Sequence, residues 1–237
     1  MQRLKDPQAL VAIGLIVVAV AASRHLVDAN SLLLFALLIP SVVLHEVSHG
    51  VAALAFGDDT AQRAGRLNLN PARHVDPVGT LIIPAVLALS GSAVFGYAKP
   101  VPVNPGRMRH PRNDSLAVSL AGPACNLVLA ALAVIALRVF AHPSGFVALG
   151  SWSTATRVVF LFGFVNVTLA VFNALPIPPL DGSAVLERLL PPSALPGWYS
   201  FTRCAMPVLM VVMLLGGGLL GHLFSPAERA YANLVLA

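Results

Sequence analysis

The sequence predicts an all-α, polytopic membrane protein, and three observations support that fold class. Of the 237 residues, 57% are hydrophobic and only 11% are charged, whereas soluble domains have about 25% charged residues. The mean hydropathy is +0.80. Apolar runs of the length that suits a bilayer, about 18 residues or more, recur along the chain. Together these features predict five to six transmembrane helices.

The apolar segments follow one another without a repeat or a long linker. The first has the outline of a signal peptide, but further spans follow at once, so we expect an uncleaved first helix. The approximate segments are Ala9–Ala22, Ser31–Phe56, Val78–Phe95, Ser115–Phe140, Trp152–Leu175 and Thr202–Phe224.

The third segment, Val78–Phe95, is interrupted by Pro84 and punctuated by glycines. Basic residues occur in the loops on both sides of it. If the segment spans fully, the dense basic cluster between Lys99 and Arg112 falls outside, against the positive-inside rule. If the segment dips in and returns, both loops stay on the cytosolic face. We therefore expect a re-entrant or extended segment between the second helix and the Ser115–Phe140 helix, with a full span as the alternative.

The net charge of +5 does not indicate a nucleic-acid partner, because no basic run is interleaved with aromatic residues. We assign the positive excess to topology and to contact with anionic headgroups of the lipid bilayer. The two cysteines, Cys125 and Cys204, lie in apolar runs and are expected to be small buried hydrophobes.

An H-E-x-x-H motif, His45-Glu46-Val47-Ser48-His49, lies in an apolar run that carries no other ionisable side chain. Ionisable groups inside a span are costly to bury and by default mark function. On a helix, positions i and i+4 share one face, so His45 and His49 can bind one zinc ion while Glu46 reaches a metal-bound water. The alternative is a pair of histidines packed against polar neighbours.

A catalytic zinc site needs a third protein ligand. The motif that continues to a third histidine fails, because Ala52 and Ala55 stand at its Gly and His positions, and no glutamate occurs between Glu46 and Glu187. Asp181 is the candidate, because it ends a long apolar segment in a proline-rich stretch that breaks the helix and redirects the chain. A helix-end turn capped by Asp181 is the alternative.

The motif around Asp181 reads Asn173-Ala-Leu-Pro176-Ile-Pro-Pro179-Leu180-Asp181-Gly182. Together with the early H-E-x-x-H, this N-x-x-P-x-x-P-L-D-G pattern resembles the site-2 protease family of intramembrane zinc metalloproteases. Three more stretches resemble the compact bacterial and archaeal branch of that family, which lacks PDZ and CBS domains. They are Asp76-Pro-Val-Gly-Thr80, Ala98-Lys-Pro-Val-Pro-Val-Asn-Pro105 and Ser119-Leu-Ala-Gly-Pro-Ala-Cys-Asn126.

The resemblance implies that His45, His49 and Asp181 hold one zinc ion (Zn2+) per chain. It also implies that Glu46 is the general base acting on a zinc-activated water. Asn173 would be a second catalytic residue, donating a hydrogen bond to the scissile carbonyl oxygen or to the developing oxyanion. On the residues alone, an interhelical hydrogen bond explains Asn173 equally well.

Two further parts of the resemblance lie outside the predicted ligand set. For Asn126 we expect helix packing, with Gly122 allowing a close approach. Prolines force residues 98–105 into an extended form. The resemblance places these residues near the active site, where they can pair with an unwound substrate strand. A rigid surface connector is the alternative.

The sequence therefore predicts an intramembrane zinc metalloendopeptidase with one membrane-embedded domain, residues 1–237, and a catalytic core at about 31–190. We expect it to cut transmembrane protein substrates, mainly single-span ones, in regulated intramembrane proteolysis. The expected location is a bacterial or archaeal cell membrane, with the active site open to the cytosol. A membrane transporter and a non-catalytic scaffold that binds transmembrane helices are the alternatives. A transporter predicts inverted repeats, which the sequence lacks, and the intact Glu46 argues against a scaffold.

Overall fold

The computed structural model describes residues 29–74, 76, 79, 99–141, 152–215 and 217–236. All regular secondary structure in these residues is helical, which confirms the all-α class. The predicted segment Ala9–Ala22 and nearly all of Val78–Phe95 lie outside the described residues. The helices are α1 (Ala29–Ala55), α2 (Thr60–Arg63), α3 (Pro111–Ala136), α4 (Thr154–Asn173), α5 (Ser183–Leu189), α6 (Leu195–Leu215) and α7 (Gly217–Leu236).

Three stretches of the described chain are helical, long and apolar enough to cross a membrane: Leu32–Ala55, Pro111–Ala141 and Thr154–Asn173. The outward face of α3 and its π-helical continuation is also apolar. Positions seven or eight residues apart share one helix face, and a continuous exposed apolar face of this length suits hydrocarbon rather than water. The exposed side chains on this face are Leu120, Leu127, Val128, Leu132, Ile135, Val139 and Phe140.

The centre of the molecule is a bundle in which α1, α3 and α4 pack pairwise against one another. Alanines lie at the buried positions, including Ala53 on α1, Ala130 and Ala133 on α3, and Ala170 on α4. Small side chains let helix backbones approach closely in a membrane. Among the described residues, the buried polar side chains of His45, Asn126 and Asn166 lie between the same helices, so the bundle positions the site described below.

The last helix continues past the final apolar segment, which ends at Phe224 in the sequence. Helix α7 runs on to Leu236 and packs along α4 in the antiparallel direction. Thr168 of α4 donates a hydrogen bond to Glu228 at 3.3 Å, and the Tyr231 hydroxyl donates to the carbonyl of Phe160 at 3.0 Å. Hydropathy ends the segment early because Ser225, Glu228 and Arg229 are polar, but the helix continues and Glu228 finds its partner on α4.

At one end of the bundle, the loop after α1 is tied to the chain that leads into α3. The backbone N–H of Lys99 donates to the carbonyl of His74 at 2.9 Å. Arg66 donates to the carbonyl of Lys99 at 2.7 Å. Arg112, at the start of α3, donates to the carbonyl of Arg188 at the end of α5. The basic loops on either side of residues 75–98 therefore lie at the same end of the bundle.

Asp58 holds this end together. Its side chain is fully buried. One carboxylate oxygen accepts hydrogen bonds from the backbone and hydroxyl of Thr60, and the other accepts from the backbone N–H of Asn104 at 2.6 Å. Burial raises the pKa of this carboxyl, but the hydrogen bonds and the positive charge of Arg107 outweigh burial and hold the pKa below its ordinary value. The ionised Asp58 thus clamps the segment before α3 onto the end of α1.

Replacing Asp58 by Asn should destabilise the protein at neutral pH by about 1–3 kcal/mol. Both carboxylate oxygens accept hydrogen bonds, and the amide would replace one of these acceptors with an NH2 donor. The folded-state pKa of Asp58 lies below the unfolded value of about 3.9. Its stabilisation is therefore present above about pH 4 and is lost as the pH falls through the folded-state pKa. Thermal unfolding in detergent measures this effect. The difference in melting temperature between wild type and Asp58→Asn should be constant near neutral pH and should become smaller in acid.

The neighbouring Asp59 provides the matched control. Its side chain is 29% exposed and pairs with Arg63 and Arg107, and exposed ion pairs contribute about 0–1 kcal/mol. Asp59→Asn should therefore lower the melting temperature much less than Asp58→Asn. Two results would contradict this role of ionised Asp58. One is an equal loss of melting temperature in the two variants, and the other is a loss in Asp58→Asn that does not change with pH.

Candidate metal centre

The two histidines of the H-E-x-x-H motif lie one turn apart on the inward face of α1. His45 is 5% exposed and His49 is 8% exposed. Their rings are nearly perpendicular, and their Nε2 atoms are 3.2 Å apart. The motif therefore forms the face that the i and i+4 spacing predicts, turned towards α3 and α4 rather than towards lipid.

Asp181 reaches the histidines because the chain doubles back after α4. The prolines that follow cannot continue the helix, and the backbone N–H of Gly182 donates to the carbonyl of Asn173 at 2.6 Å. A Cβ atom on Gly182 would lie 2.6 Å from the carbonyl oxygen of Leu175 and closer still to the main chain of Ala174. Only glycine fits this return, so Gly182 is a requirement for the position of Asp181.

The three predicted ligands converge on one point. Asp181 Oδ2 lies 3.0 Å from His45 Nε2 and 3.4 Å from His49 Nε2. Zinc binds nitrogen and oxygen ligands at about 2.0–2.1 Å in a tetrahedral arrangement, which places neighbouring ligand atoms about 3.3 Å apart. The distances within the His45–His49–Asp181 cluster match that spacing.

The hydrogen bonds on the far side of each ring direct lone pairs into the cluster. His45 Nδ1 donates to Asn126 Oδ1 at 2.6 Å, and His49 Nδ1 donates to the carbonyl of Val118 at 2.7 Å. A neutral imidazole has one N–H, so both Nε2 atoms carry lone pairs. Among the described residues, no hydrogen-bond donor meets the buried Oδ2 of Asp181. Such lone-pair atoms at contact distance repel unless a cation lies between them, so this donor set fits zinc.

Glu46 points to the extended stretch that the resemblance places near the site. Its Oε2 accepts a hydrogen bond from the backbone N–H of Val101 at 2.9 Å, so the described part of this stretch, residues 99–105, lies beside Glu46. This stretch is also held rigidly. Arg66 donates to the carbonyls of Lys99 and Pro100. Since prolines lack N–H groups and the N–H of Val101 is already bonded, this stretch offers mainly carbonyl oxygens for further hydrogen bonds.

Asn173 is the last residue of α4, next to the return that carries Asp181. Its side-chain amide donates to the carbonyl of Leu169, one turn earlier, at 3.0 Å. An amide nitrogen carries two hydrogens, and this hydrogen bond uses one of them. The catalytic role of Asn173 stays a prediction.

Asn126 does more than the helix packing predicted for it. It accepts the hydrogen bond from His45 and donates to Asn166 Oδ1 at 2.7 Å. Asn126, Asn166 and Ser41 are all fully buried. Sequence reasoning missed Asn166 and Ser41 altogether. A polar amide in the middle of an apolar span was the available signal for Asn166, whereas nothing in the sequence distinguishes Ser41.

Gly122 gives the cluster its space. A Cβ atom at this position of α3 would lie 2.6 Å from His45 Nε2 and 2.5 Å from His45 Cε1, and closer still to His49 Nε2. The backbone of α3 thus borders the point where the ligand atoms meet. A side chain at position 122 would occupy the volume that an ion needs.

Comparison with known proteins agrees with the geometry. A model of the family described as Peptidase family M50 matches residues 138–216, which include the Asp181 motif but not the H-E-x-x-H motif. The chain is 43% identical over 156 residues to a Bacillus subtilis protein named "Putative zinc metalloprotease YwhC", covering 65% of this chain and 68% of that protein. No solved structure matches.

Two mycobacterial proteins, both named "Putative zinc metalloprotease Rip2", are also similar. The protein from Mycolicibacterium smegmatis is 40% identical over 153 residues, covering 64% of this chain and 55% of that protein. The protein from Mycobacterium tuberculosis strain H37Rv is 37% identical over 175 residues, covering 73% of this chain and 63% of that protein. The chain therefore spans from just over half to about two thirds of the length of these relatives.

Replacing Gly122 by Ala should abolish tight zinc binding, because the added methyl group would collide with both histidines of the cluster. Elemental analysis of the purified protein in detergent measures this directly. Gly197→Ala is the matched control, since a Cβ there would meet nothing within 4 Å, and it should leave the zinc content at the wild-type value. A Gly122→Ala variant that binds zinc as tightly as wild type would rule out the metal position described here.

Proposed function

This chain is a zinc metalloprotease that belongs to peptidase family M50, and we propose that it hydrolyses peptide bonds in or near the transmembrane helices of single-span membrane proteins. The observation that carries the proposal is the buried His45–His49–Asp181 cluster inside a bundle of apolar helices. A peptide bond that reaches this depth belongs to a membrane-embedded substrate. The transporter and scaffold alternatives receive no support from the relatives, whose names describe metalloproteases.

The proposed chemistry divides the work among four residues. His45, His49 and Asp181 hold one zinc ion, which when bound supplies a Lewis acid and lowers the pKa of water towards about 7. Glu46 follows the first ligand on α1, and its Oε2 is held by the N–H of Val101. No described residue hydrogen-bonds to Oε1, so Oε1 can take the proton of the attacking water and deliver it to the leaving amine nitrogen.

Asn173 is the proposed partner of the scissile carbonyl. Its side chain is anchored by the hydrogen bond to Leu169, which leaves a second N–H for a substrate oxygen. The adjacent carbonyl of Asn173 holds Gly182 beside Asp181, so a donor at this position lies near the metal ligands. A hydrogen bond from the amide would stabilise negative charge that develops on the carbonyl oxygen.

The substrate helix has to open before it can be cut. In a transmembrane helix each backbone carbonyl is bonded within the helix, because hydrocarbon offers no other partner. Substrates with Gly, Pro or Asn near the cut should therefore be preferred, since these residues weaken the helix locally. The rigid stretch that contains Val101 is the proposed surface for the opened strand, with carbonyl oxygens as its main contacts.

We infer that the site opens towards the cytosol. His45 is ten residues before the end of α1 at Ala55, which is about 15 Å along the helix. The same end of the bundle carries Arg66, Arg107 and Arg112, and basic residues favour the cytosolic face. Because His74 and Lys99 are in contact, we also propose that residues 75–98 enter the membrane and return to the same face.

The test is cleavage of a single-span reporter protein, co-reconstituted with the purified chain in liposomes. Glu46→Gln should keep the zinc content of wild type and lower the cleavage rate by about 10²–10⁴-fold, because an amide cannot take up the proton. Gln still offers an oxygen to Val101, so the local fold should persist. Mass spectrometry of the fragments locates the cut.

The reporter itself offers a matched control. A version with a poly-Leu span should be cut much more slowly than one with Gly or Asn near the cut. Equal cleavage of the two reporters would contradict helix opening, and full activity of Glu46→Gln would contradict its role as general base. Cuts confined to soluble loops far from the span would contradict intramembrane proteolysis.

A further inference from the structure

A line of buried hydrogen bonds runs from His45 across all three central helices. His45 donates to Asn126 at 2.6 Å, and Asn126 donates to Asn166 at 2.7 Å. Asn166 donates in turn to the hydroxyl of Ser41 at 3.0 Å, and Ser41 donates to the carbonyl of Leu37 at 2.8 Å. The line begins on α1, crosses α3 and α4, and ends on α1 two turns before it began.

The direction of every hydrogen bond in this line is fixed at its far end. Asn166 Nδ2 also donates to the backbone carbonyl of Phe162 at 2.8 Å. Backbone carbonyls only accept, so the Nδ2 of Asn166 has to face Phe162 and Ser41, and its Oδ1 has to face α3. Asn126 must then present its Nδ2 to Asn166. Its own Oδ1 is left for His45.

This orientation determines the tautomer of His45. Oδ1 of Asn126 can only accept, so the proton of the neutral imidazole must sit on Nδ1 and the lone pair on Nε2. If the Asn126 amide turned over, its N–H would face Nδ1 and drive the imidazole proton to Nε2. The turned amide would also set its Oδ1 against the Oδ1 of Asn166, so two acceptors would face each other at a fully buried position.

We propose that Asn166 is a positioning residue for the metal site, acting through Asn126 to hold the Nε2 lone pair of His45 on the ion. Asn166 lies on a different helix from both histidines and touches neither of them among the described contacts. The inference rests on the proposed function in one respect, namely that the His45–His49–Asp181 cluster binds zinc. Partners that orient a histidine ligand typically change metal affinity by about 10–100-fold.

Two substitutions at one position separate this role from a merely structural one. Asn166→Ala removes the oxygen that orients Asn126 and should weaken zinc binding by about 10–100-fold. Asn166→Asp keeps that oxygen and, as the neutral acid, one donor; its zinc affinity should stay within about threefold of wild type. Competition with a chelator measures zinc affinity on the full-length chain in detergent, and the melting temperature of the zinc-free form reports the fold.

Thr168→Ala is the matched control on the same helix. The hydroxyl of Thr168 donates to the carbonyl of Phe164 and to Glu228. Neither hydrogen bond belongs to the series that leads from Asn166 to His45, so this variant should bind zinc like wild type. In zinc-free wild type, ¹⁵N spectra of labelled histidine should show His45 protonated on Nδ1. Loss of that signature in Asn166→Ala supports the inference, and its persistence overturns the inference.

The remaining outcomes are equally decisive. Asn166→Ala and Asn166→Asp that both lose thermal stability but bind zinc like wild type would show a structural role only, which overturns the inference and leaves the proposed function intact. A wild type that binds no zinc overturns both. If Asn166→Ala does not fold, Asn126→Asp and Asn126→Leu repeat the test. Only the aspartate should keep the affinity, and equal losses would overturn the inference.

Discussion

The chain doubles back after α4 and brings the Asp181 carboxylate to His45 and His49 inside an apolar bundle. The rest of the structure depends on this contact. Buried polar groups need partners, because an apolar interior offers no water to replace them. Asp181 and the two histidines present lone pairs to one another, an arrangement that a shared cation stabilises. Gly182 allows the chain to double back, and Gly122 keeps the meeting point clear of side chains. Each of these features is explained by the geometry of a tetrahedral ion.

The site combines rigid ligands with an accessible one. Both histidines are nearly fully buried and are fixed through Nδ1 by partners on α3, so their directions are set before a metal or substrate arrives. Asp181 keeps a fifth of its side chain exposed, and it lies on a loop between helices. Within the described part of the chain, Glu46 is held through one oxygen, Oε2. A hydrolase needs this combination, because the metal has to be held firmly while water and substrate reach it.

The three candidate ligands that the structure brings together can be found from the sequence because their signals are local. The i, i+4 spacing places His45 and His49 on one face, and the prolines before Asp181 predict a redirected chain. The hydrogen bonds that orient the ligands are less visible. Asn126 and Asn166 are single amides on separate apolar helices, and their partnership depends on how α3 and α4 pack, which no local pattern encodes. The extent of α7 was missed for a related reason, since Glu228 and Tyr231 find partners on α4 that hydropathy does not register.

The zinc content of the purified chain is the decisive measurement, made by elemental analysis of wild type, Asp181→Ala and Asp59→Ala. We expect about one zinc ion per chain in wild type and in Asp59→Ala, whose substituted carboxylate lies at the end of α1 away from the cluster. We expect almost none in Asp181→Ala, because the remaining pair of histidines leaves an incomplete set of ligands. Zinc retained by Asp181→Ala, or absent from wild type, would contradict a metal site formed by His45, His49 and Asp181.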